Sequence, residues 1–232
     1  MPPQPDIRKA ETDDALLAIY RFRYAIYVEE MNRVQKHANA SERTIIDPLD
    51  AASDNIAAWV DDQVVACVRL TWPRKTKGSY MEDYEALYQM HRFGELHPGR
   101  TSIVTRLMIA PAHRRTNLAF RLFSFCYTIG LDTGTALNVM DCNAHLVEFF
   151  RKVGYRPYMG SARHDEYGEV TPMYLDLRDV SYLRKLGSPY VKAYEAWIAR
   201  NAPEAQALPW QEPRGRHGIS EPLDTSHQGN RT

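Results

Sequence analysis

Potential chemistry is most concentrated in Val104-Thr-Arg-Leu-Met-Ile-Ala-Pro-Ala-His-Arg-Arg-Thr-Asn-Leu-Ala119. An apolar strand runs into a short polar turn and then into a helix. Unpaired backbone N–H groups at such a helix start bind anions, phosphate above all. Arg114 supplies charge, while Asn117 and Ala119 are small or tolerant of unusual backbone angles. Many α/β proteins carry a polar loop before a helix, so the turn alone reads equally well as a solvated connection.

A second set of residues is charged. Arg69 lies in Val64–Leu70, where alternation places Val65, Cys67 and Arg69 on one face. Arg106 is expected to share a face with Val104 and Met108. Guanidinium groups inside apolar strands are costly unless paired. The available partners are Asp47 and Asp50 of Asp47-Pro-Leu-Asp50. Two readings stand: an ion-pair network that pins a loop, or a cluster bordering a substrate pocket. Cys142 has no His/Asp constellation around it and reads as a core thiol rather than a nucleophile.

These residues need elements to position them. Asp6–Thr12 is a strand candidate. Thr12 caps a helix running to about Met31, with Leu16, Ile19, Tyr20, Phe22 and Ile26 at helical spacing. Residues 32–50 lack periodicity and read as a loop. Ile56–Val60 and Val64–Trp72 form a strand pair broken at Asp61-Asp62-Gln63. A short helix at 80–92 precedes the loop Gly94–Gly99. Then come a strand at Ser102–Ala110, a helix at Asn117–Asp132, a strand at Ala136–Met140 and a helix at Asn143–Val153 closed by Gly154. Tyr155–Met159 and Val170–Leu177 read as a terminal strand pair, followed by short helices at Tyr182–Leu186 and Tyr190–Arg200. This order is that of a mixed α/β domain over residues 1–202. Residues 203–232 are rich in Pro, Gly, Gln, Ser and His and read as a disordered tail.

Composition narrows the class. Among 232 residues, 29 Lys+Arg balance 29 Asp+Glu, which argues against a general nucleic-acid binder. No apolar run approaches the roughly 20 residues of a membrane helix, and Met1–Asp6 lacks a signal pattern. Cys67, Cys126 and Cys142 are odd in number and widely spaced, so neither a disulfide framework nor a metal site is expected. They read as reduced thiols in a cytoplasmic protein.

The run Arg114-Arg-Thr-Asn117-Leu-Ala119, after a strand ending in Ala-Pro, resembles the acyl-carrier pyrophosphate loop of the GNAT acyltransferases. Asn117 stands where that pattern has its first Gly. Asn143-Ala-His-Leu-Val-Glu-Phe-Phe-Arg-Lys-Val-Gly-Tyr155 is similar to the family's next helix, which ends in Gly and an aromatic. Arg23-Tyr-Ala-Ile-Tyr27, Asp47–Asp50, Val68-Arg69-Leu70 and Thr105-Arg106-Leu107 occur in the order seen in acyl-homoserine-lactone synthases. The long-chain N-acyl amino acid synthases resemble the chain more closely, through Val28-Glu29-Glu30 and Tyr167–Leu177.

The resemblance implies a GNAT-like α/β fold: a mixed twisted sheet flanked by helices, splayed between the strands at 102–110 and 136–140. It implies an N-acyltransferase moving a long acyl chain from acyl carrier protein to the amine of an amino acid or related small amine, by direct attack. Asp47, Asp50 and Arg106 would be catalytic, and Arg23, Tyr27, Arg69 and Thr105 would bind the acceptor. Leu107, Met108, Ile109, Arg114, Arg115, Asn117, Leu118, Ala119 and Asn143 would hold the phosphopantetheine arm. No permanently bound cofactor is implied; acyl-phosphopantetheine or acyl-CoA is the donor substrate. Arg114, Arg115, Arg151, Lys152 and Arg156 form a basic set that would steer an acidic carrier protein; a solvated surface is the alternative. The chain departs from the pattern at Ile103, where the lactone synthases carry Glu. It also has Asn32 and Arg33 near an expected Trp, and Phe150 where many acetyl-transferring relatives place a Tyr acid. The alternatives are a CoA-dependent N-acyltransferase acting on another amine, and a binding protein without turnover. Loss of Arg106 or Asp47 is expected to abolish transfer and leave the fold intact.

Overall fold

A computed structural model describes residues 4–76 and 78–201, so the tail expected at 203–232 lies outside the described residues. Strand β1 (Asp6–Lys9) leads into helix α1 (Asp13–Tyr24). The Thr12 hydroxyl accepts the Ala15 N–H at 3.2 Å, and Asp13 and Asp14 face the positive helix start. The expected last turn of this helix is instead π-helical over Ala25–Glu30, a wide turn often found at functional sites. The following loop contains a two-stranded ladder, β2 (Ala38–Asn39) with β3 (Thr44–Ile45). Strands β4 (Ser53–Val60) and β5 (Gln63–Thr71) form the expected hairpin. Its turn residues Asp61 and Asp62 both have positive φ, 47° and 60°, as a tight two-residue turn requires.

Helix α2 (Ser79–Leu87) and a 3-10 segment (Met90–Leu96) precede strand β6 (Thr101–Ile109) and helix α3 (Leu118–Asp132). Strand β7 (Leu137–Cys142) is followed by helix α4 (Val147–Val153), then the short strands β8 (Arg156–Pro157) and β9 (Ala162–His164). Strand β10 (Gly168–Asp176) and helices α5 (Val180–Leu186) and α6 (Tyr190–Arg200) complete the domain. The sheet order is β1-β4-β5-β6-β7-β10-β8, with β9 on the first part of β10. No helix among the described residues is long and apolar enough to cross a membrane.

One junction in the sheet is parallel, between β6 and β7, and it is short. Its register runs Thr101↔Leu137, Ser102↔Asn138, Ile103↔Val139 and stops there. Beyond it β6 stays with β5 and β7 stays with β10, so the sheet opens into the expected splay. One sheet face packs Val104, Met140 and Cys142 against Leu122, Phe123, Cys126 and Tyr127 of α3 and Trp197 of α6. The other packs Cys67 and Met108 against Ile19 and Ile26. On that second face Ile103, Leu137 and Val139 meet Tyr84 and Tyr88 of α2 and its continuation.

Two β-bulges correct the expected faces. A register shift between β5 and β6 at Cys67/Arg69, with Arg106 at φ 59°, puts Val104 and Met108 on opposite faces rather than together with Arg106. A shift at Ala58/Trp59 likewise places Val65 in the α3-side core, apart from Cys67. A bulge adds one residue to one strand, so strict alternation miscounts beyond it.

Gly154 closes α4 at φ 124°, and a Cβ there would lie 2.4 Å from Leu183 Cδ2 and 3.2 Å from Leu175 Cδ1. Gly154→Ala therefore meets both a backbone penalty and packed leucines. We expect it to lower folding stability by about 2–3 kcal/mol, read as a drop in the urea midpoint at unchanged slope.

Candidate functional site

The charged residues singled out in the sequence converge on the α1 side of the sheet. Asp47 and Asp50 are brought in by the loop after β3, Arg23 by α1, Arg69 by β5 and Arg106 by the bulge in β6; all are buried. Asp47 Oδ1 accepts from Arg69 Nη1 and from the Leu49 N–H, and its Oδ2 accepts from Arg106 Nη2 at 2.9 Å. Asp50 Oδ1 accepts from Arg23 Nη1 at 2.8 Å, and its Oδ2 accepts the Asp47 N–H at 2.8 Å. Arg23 Nη2 donates to Asn55 Oδ1 at 2.6 Å, and Arg69 Nε donates to Thr105 Oγ1 at 3.1 Å. Arg106 Nη1 donates to Gln35 Oε1 at 2.8 Å and to the Tyr167 hydroxyl at 2.6 Å, and Glu166 stands 3.6 Å away. Tyr27, on the π-helical turn, lies against the Arg106 guanidinium and the Tyr167 ring.

Three guanidinium groups thus face two fully buried carboxylates, with Glu166 at the margin. Arg23 Nε, Arg69 Nη2 and Arg106 Nε are buried without a hydrogen-bond acceptor. With Glu166 counted, three guanidinium groups meet three carboxylates, so the cluster is balanced in charge and its unaccepted donors are the hydrogen-bonding capacity left over. Gln35, Asn55 and Glu166 belong to this cluster but carried no sequence signal, and Tyr167 carried one only as the first residue of the Tyr167–Leu177 resemblance, because each is joined to the cluster only by the folding of a loop or hairpin.

Burial alone would raise the Asp47 carboxyl, but Arg69 and Arg106 outweigh it and hold the group at about 2, against an ordinary 3.8. A depressed carboxyl stabilises the fold fully above its unfolded value and loses that contribution as pH falls through the folded one. Stability is therefore expected to drop by about 2 kcal/mol through this group between roughly pH 4 and pH 2. Acid denaturation of the wild type and of Asp47→Asn checks it: the variant should show a shallower loss in that window.

The second sequence candidate, the turn between β6 and α3, is partly as expected. Leu118 N donates to the Thr116 hydroxyl and Asn117 O accepts from Arg121 N at the start of α3, where Ala119 and Phe120 are half-buried against the core. The left-handed residue is Arg115, φ 62°, while Asn117 has an ordinary φ of −80°. A side chain at 117 is therefore accommodated without the freedom of Gly. Arg114 is engaged: it donates to Ile109 O at 2.9 Å and pairs with Glu30 at 2.6 Å. Asn143 donates to the carbonyls of Tyr167 and Glu169 at 3.3 and 3.4 Å, tying the β10 hairpin down. Leu107, Met108 and Ile109 line the part of β6 beyond its last pair with β7. Within the basic set, Arg151 pairs with Glu148 and Arg156 with Asp179, so three of the five charges, Arg114 included, have acidic partners. Cys142 is a buried free thiol pushed up to about 11 by burial, and Phe150 packs edge-on against Phe123 and Tyr155.

A mixed sheet that opens at the β6/β7 junction, followed by the β6–α3 turn, is a GNAT-like fold, with the polar cluster beside its bulge. In agreement, a family model described as an acetyltransferase (GNAT) domain matches residues 22–124. Among solved structures, the CoA-dependent acyl-homoserine lactone synthase BjaI, with SAM and isopentyl-CoA, aligns at TM-score 0.63 and 20% identity, over 80% of this chain and 90% of that one. FeeM, an N-acyl amino acid synthase from uncultured soil microbes, aligns at TM-score 0.60 and 14% identity, over 78% and 95%. Escherichia coli ElaA aligns at TM-score 0.52 and 16% identity, over 74% and 99%. No curated protein sequence matches the chain. The fold is therefore similar to that of BjaI and FeeM.

Proposed function

We propose that this protein transfers an acyl group, a long chain being the first choice, from a carrier-protein thioester to the amine of an amino acid or related small amine. The observation that carries the reading is the β6/β7 junction that opens beyond Ile103↔Val139, with Arg106, Tyr167 and Glu166 at the margin of the polar cluster beside it. In this reading that margin meets the acceptor and presents its amine towards β6. Arg23, Tyr27, Arg69 and Thr105 serve as acceptor contacts in this reading. The pantetheine arm adds to the free edge of β6 at Leu107–Ile109, as a strand adds to a sheet. Its phosphate end meets Arg115 and the N–H groups at the α3 start near Ala119, with Arg114, Asn117, Leu118 and Asn143 shaping that rim. An N–H in the Leu107–Ile109 stretch polarises the thioester carbonyl. No protein nucleophile is needed, because a free amine attacks a thioester once the two are held in line.

The donor has a second reading, acyl-CoA. It is favoured by the acidic partners of Arg114, Arg151 and Arg156, which leave little free charge to attract a carrier protein. The relative BjaI is itself described as CoA-dependent. The test is mass spectrometry of purified protein incubated with palmitoyl-carrier protein, or separately palmitoyl-CoA, and a pool of amino acids. An N-acyl amino acid formed from the carrier donor is the expected product; a product with CoA alone selects the second donor. No acylated amine with either donor refutes the reading.

A further inference from the structure

The reaction needs a group that takes a proton from the incoming ammonium. Asp47 and Asp50, the sequence candidates, are poorly placed for it. Each is buried among arginines, and Asp47 is held so far below the ordinary range that it has little appetite for a proton.

Another carboxylate stands at the opening itself. The β6/β7 register ends at Ile103↔Val139, and Asp141 lies two residues further along β7, on the face that Leu137 and Val139 present to α2. Continued across the gap, that register sets Asp141 opposite Thr105, the neighbour of Arg106. Its side chain is half-buried, and its Oδ1 accepts the hydroxyl of Tyr88, the residue after α2, at 2.9 Å. No lysine or arginine forms an ion pair with it among the described residues, in contrast to Asp47. The titratable groups whose charge acts with or upon it are Tyr84 from α2, Tyr88 just after α2, its neighbour Cys142 in β7, Tyr158 after β8 and His164 from β9. His164 Nδ1 accepts the Glu166 N–H at 3.1 Å, so the neutral ring carries its proton on Nε2 and offers no free basic nitrogen.

We propose that Asp141 is the general base of this enzyme, receiving the acceptor's ammonium at the mouth of the splay; the proposal rests on the amine-acylating reading above. The ammonium is the cation that Asp141 lacks. One N–H bond breaks and its proton passes to the carboxylate. The freed amine lone pair then forms the C–N bond at the thioester carbonyl carbon, and the C=O electron pair moves onto oxygen. Collapse re-forms C=O and breaks C–S. The second nitrogen proton goes to the departing sulfur, leaving amide and thiol, and Asp141 returns its proton to solvent. Burial pushes the Asp141 carboxyl above the ordinary carboxylate range, against the Tyr88 hydrogen bond and the influence of His164. That shift moves it towards its task, since a base works best with a pKa nearer the working pH.

The test is the pH–rate profile of wild type, Asp141→Asn and Tyr88→Phe with the amine and donor found above. Asp141→Asn should lose about 10²–10⁴-fold in kcat/KM at pH 7. Its rate should then climb about tenfold per pH unit as the free amine accumulates without help. Its melting temperature should be no lower than wild type, because a strained carboxylate has been neutralised. Tyr88→Phe removes a hydrogen bond that favours the charged form, so the acid limb of its profile should move to higher pH. A merely structural role would not move that limb. If wild type acylates the amine and Asp141→Asn does so with the same rate and profile, the assignment is wrong while the acyltransferase reading stands. If Asp141→Asn does not fold, an unmoved acid limb in Tyr88→Phe overturns the assignment. Absence of any acylation by wild type overturns the acyltransferase reading and this assignment with it.

Discussion

Alanine at position 47 is expected to cost about 3–5 kcal/mol of folding stability, and transfer activity with it. Asp47 is the shared acceptor of Arg69 and Arg106, and it also holds the Leu49 N–H. Its removal leaves two guanidinium groups buried with one fewer negative charge, and the desolvation cost of each is no longer offset. Asp50 offsets only part of the loss: its Oδ1 already accepts from Arg23 and, at 3.4 Å, from Arg69 Nη1, its Oδ2 accepts the Asp47 N–H, and neither oxygen pairs with Arg106. The sequence-based expectation that the fold would stay intact therefore gives way to a destabilised one. Urea denaturation of wild type, Asp47→Ala, Arg106→Met and the double variant measures it. The double variant should lose clearly less than the sum of the singles, since removing both charges leaves less uncompensated. Additive losses, or a single loss under about 1 kcal/mol, would mean that the pair stands in far wetter surroundings than its burial indicates.

Much of this architecture was legible because local signals agreed with one another. Thr12 capping α1, the Asp61-Asp62 turn and Gly154 closing α4 each state their element in a few residues. The pairing of Arg69 with Asp47 was legible for a different reason: a guanidinium on a buried strand demands a carboxylate, and the nearest loop carried two. The bulges were not legible. Nothing in Val64-Val-Ala-Cys67 or Thr105-Arg-Leu107 marks where a strand takes an extra residue, because a bulge is set by the neighbouring strand's register. The π-helical turn was hidden for a related reason, since its side-chain spacing imitates the helix it continues. Asp141 was missed because a lone Asp in an apolar run, Asn138-Val-Met-Asp-Cys142, has no partner within reach along the chain. Its neighbours Tyr88 and His164 come from elements 53 positions upstream and 23 positions downstream.

Arg106 is where activity should be most sensitive to a conservative change. Its guanidinium reaches Asp47 through Nη2 and both Gln35 and Tyr167 through Nη1, so one planar fork joins the 32–50 loop, the β6 bulge and the β9–β10 hairpin. A lysine keeps the charge but presents one nitrogen, which cannot span partners placed around a flat group. Arg106→Lys is therefore expected to keep much of the stability and to lose about 10²–10³-fold in kcat/KM for the acceptor, roughly 3–4 kcal/mol. The loss should fall on the acceptor, with the KM for the thioester little changed, because in the proposed binding mode the donor's arm runs along the backbone edge at Leu107–Ile109. Steady-state kinetics with each substrate varied in turn separates the two. An equal rise in KM for donor and acceptor would instead point to collapse of the bulge. The Arg106 side chain would then act by shaping β6, and acceptor recognition would rest on Arg23 and Arg69.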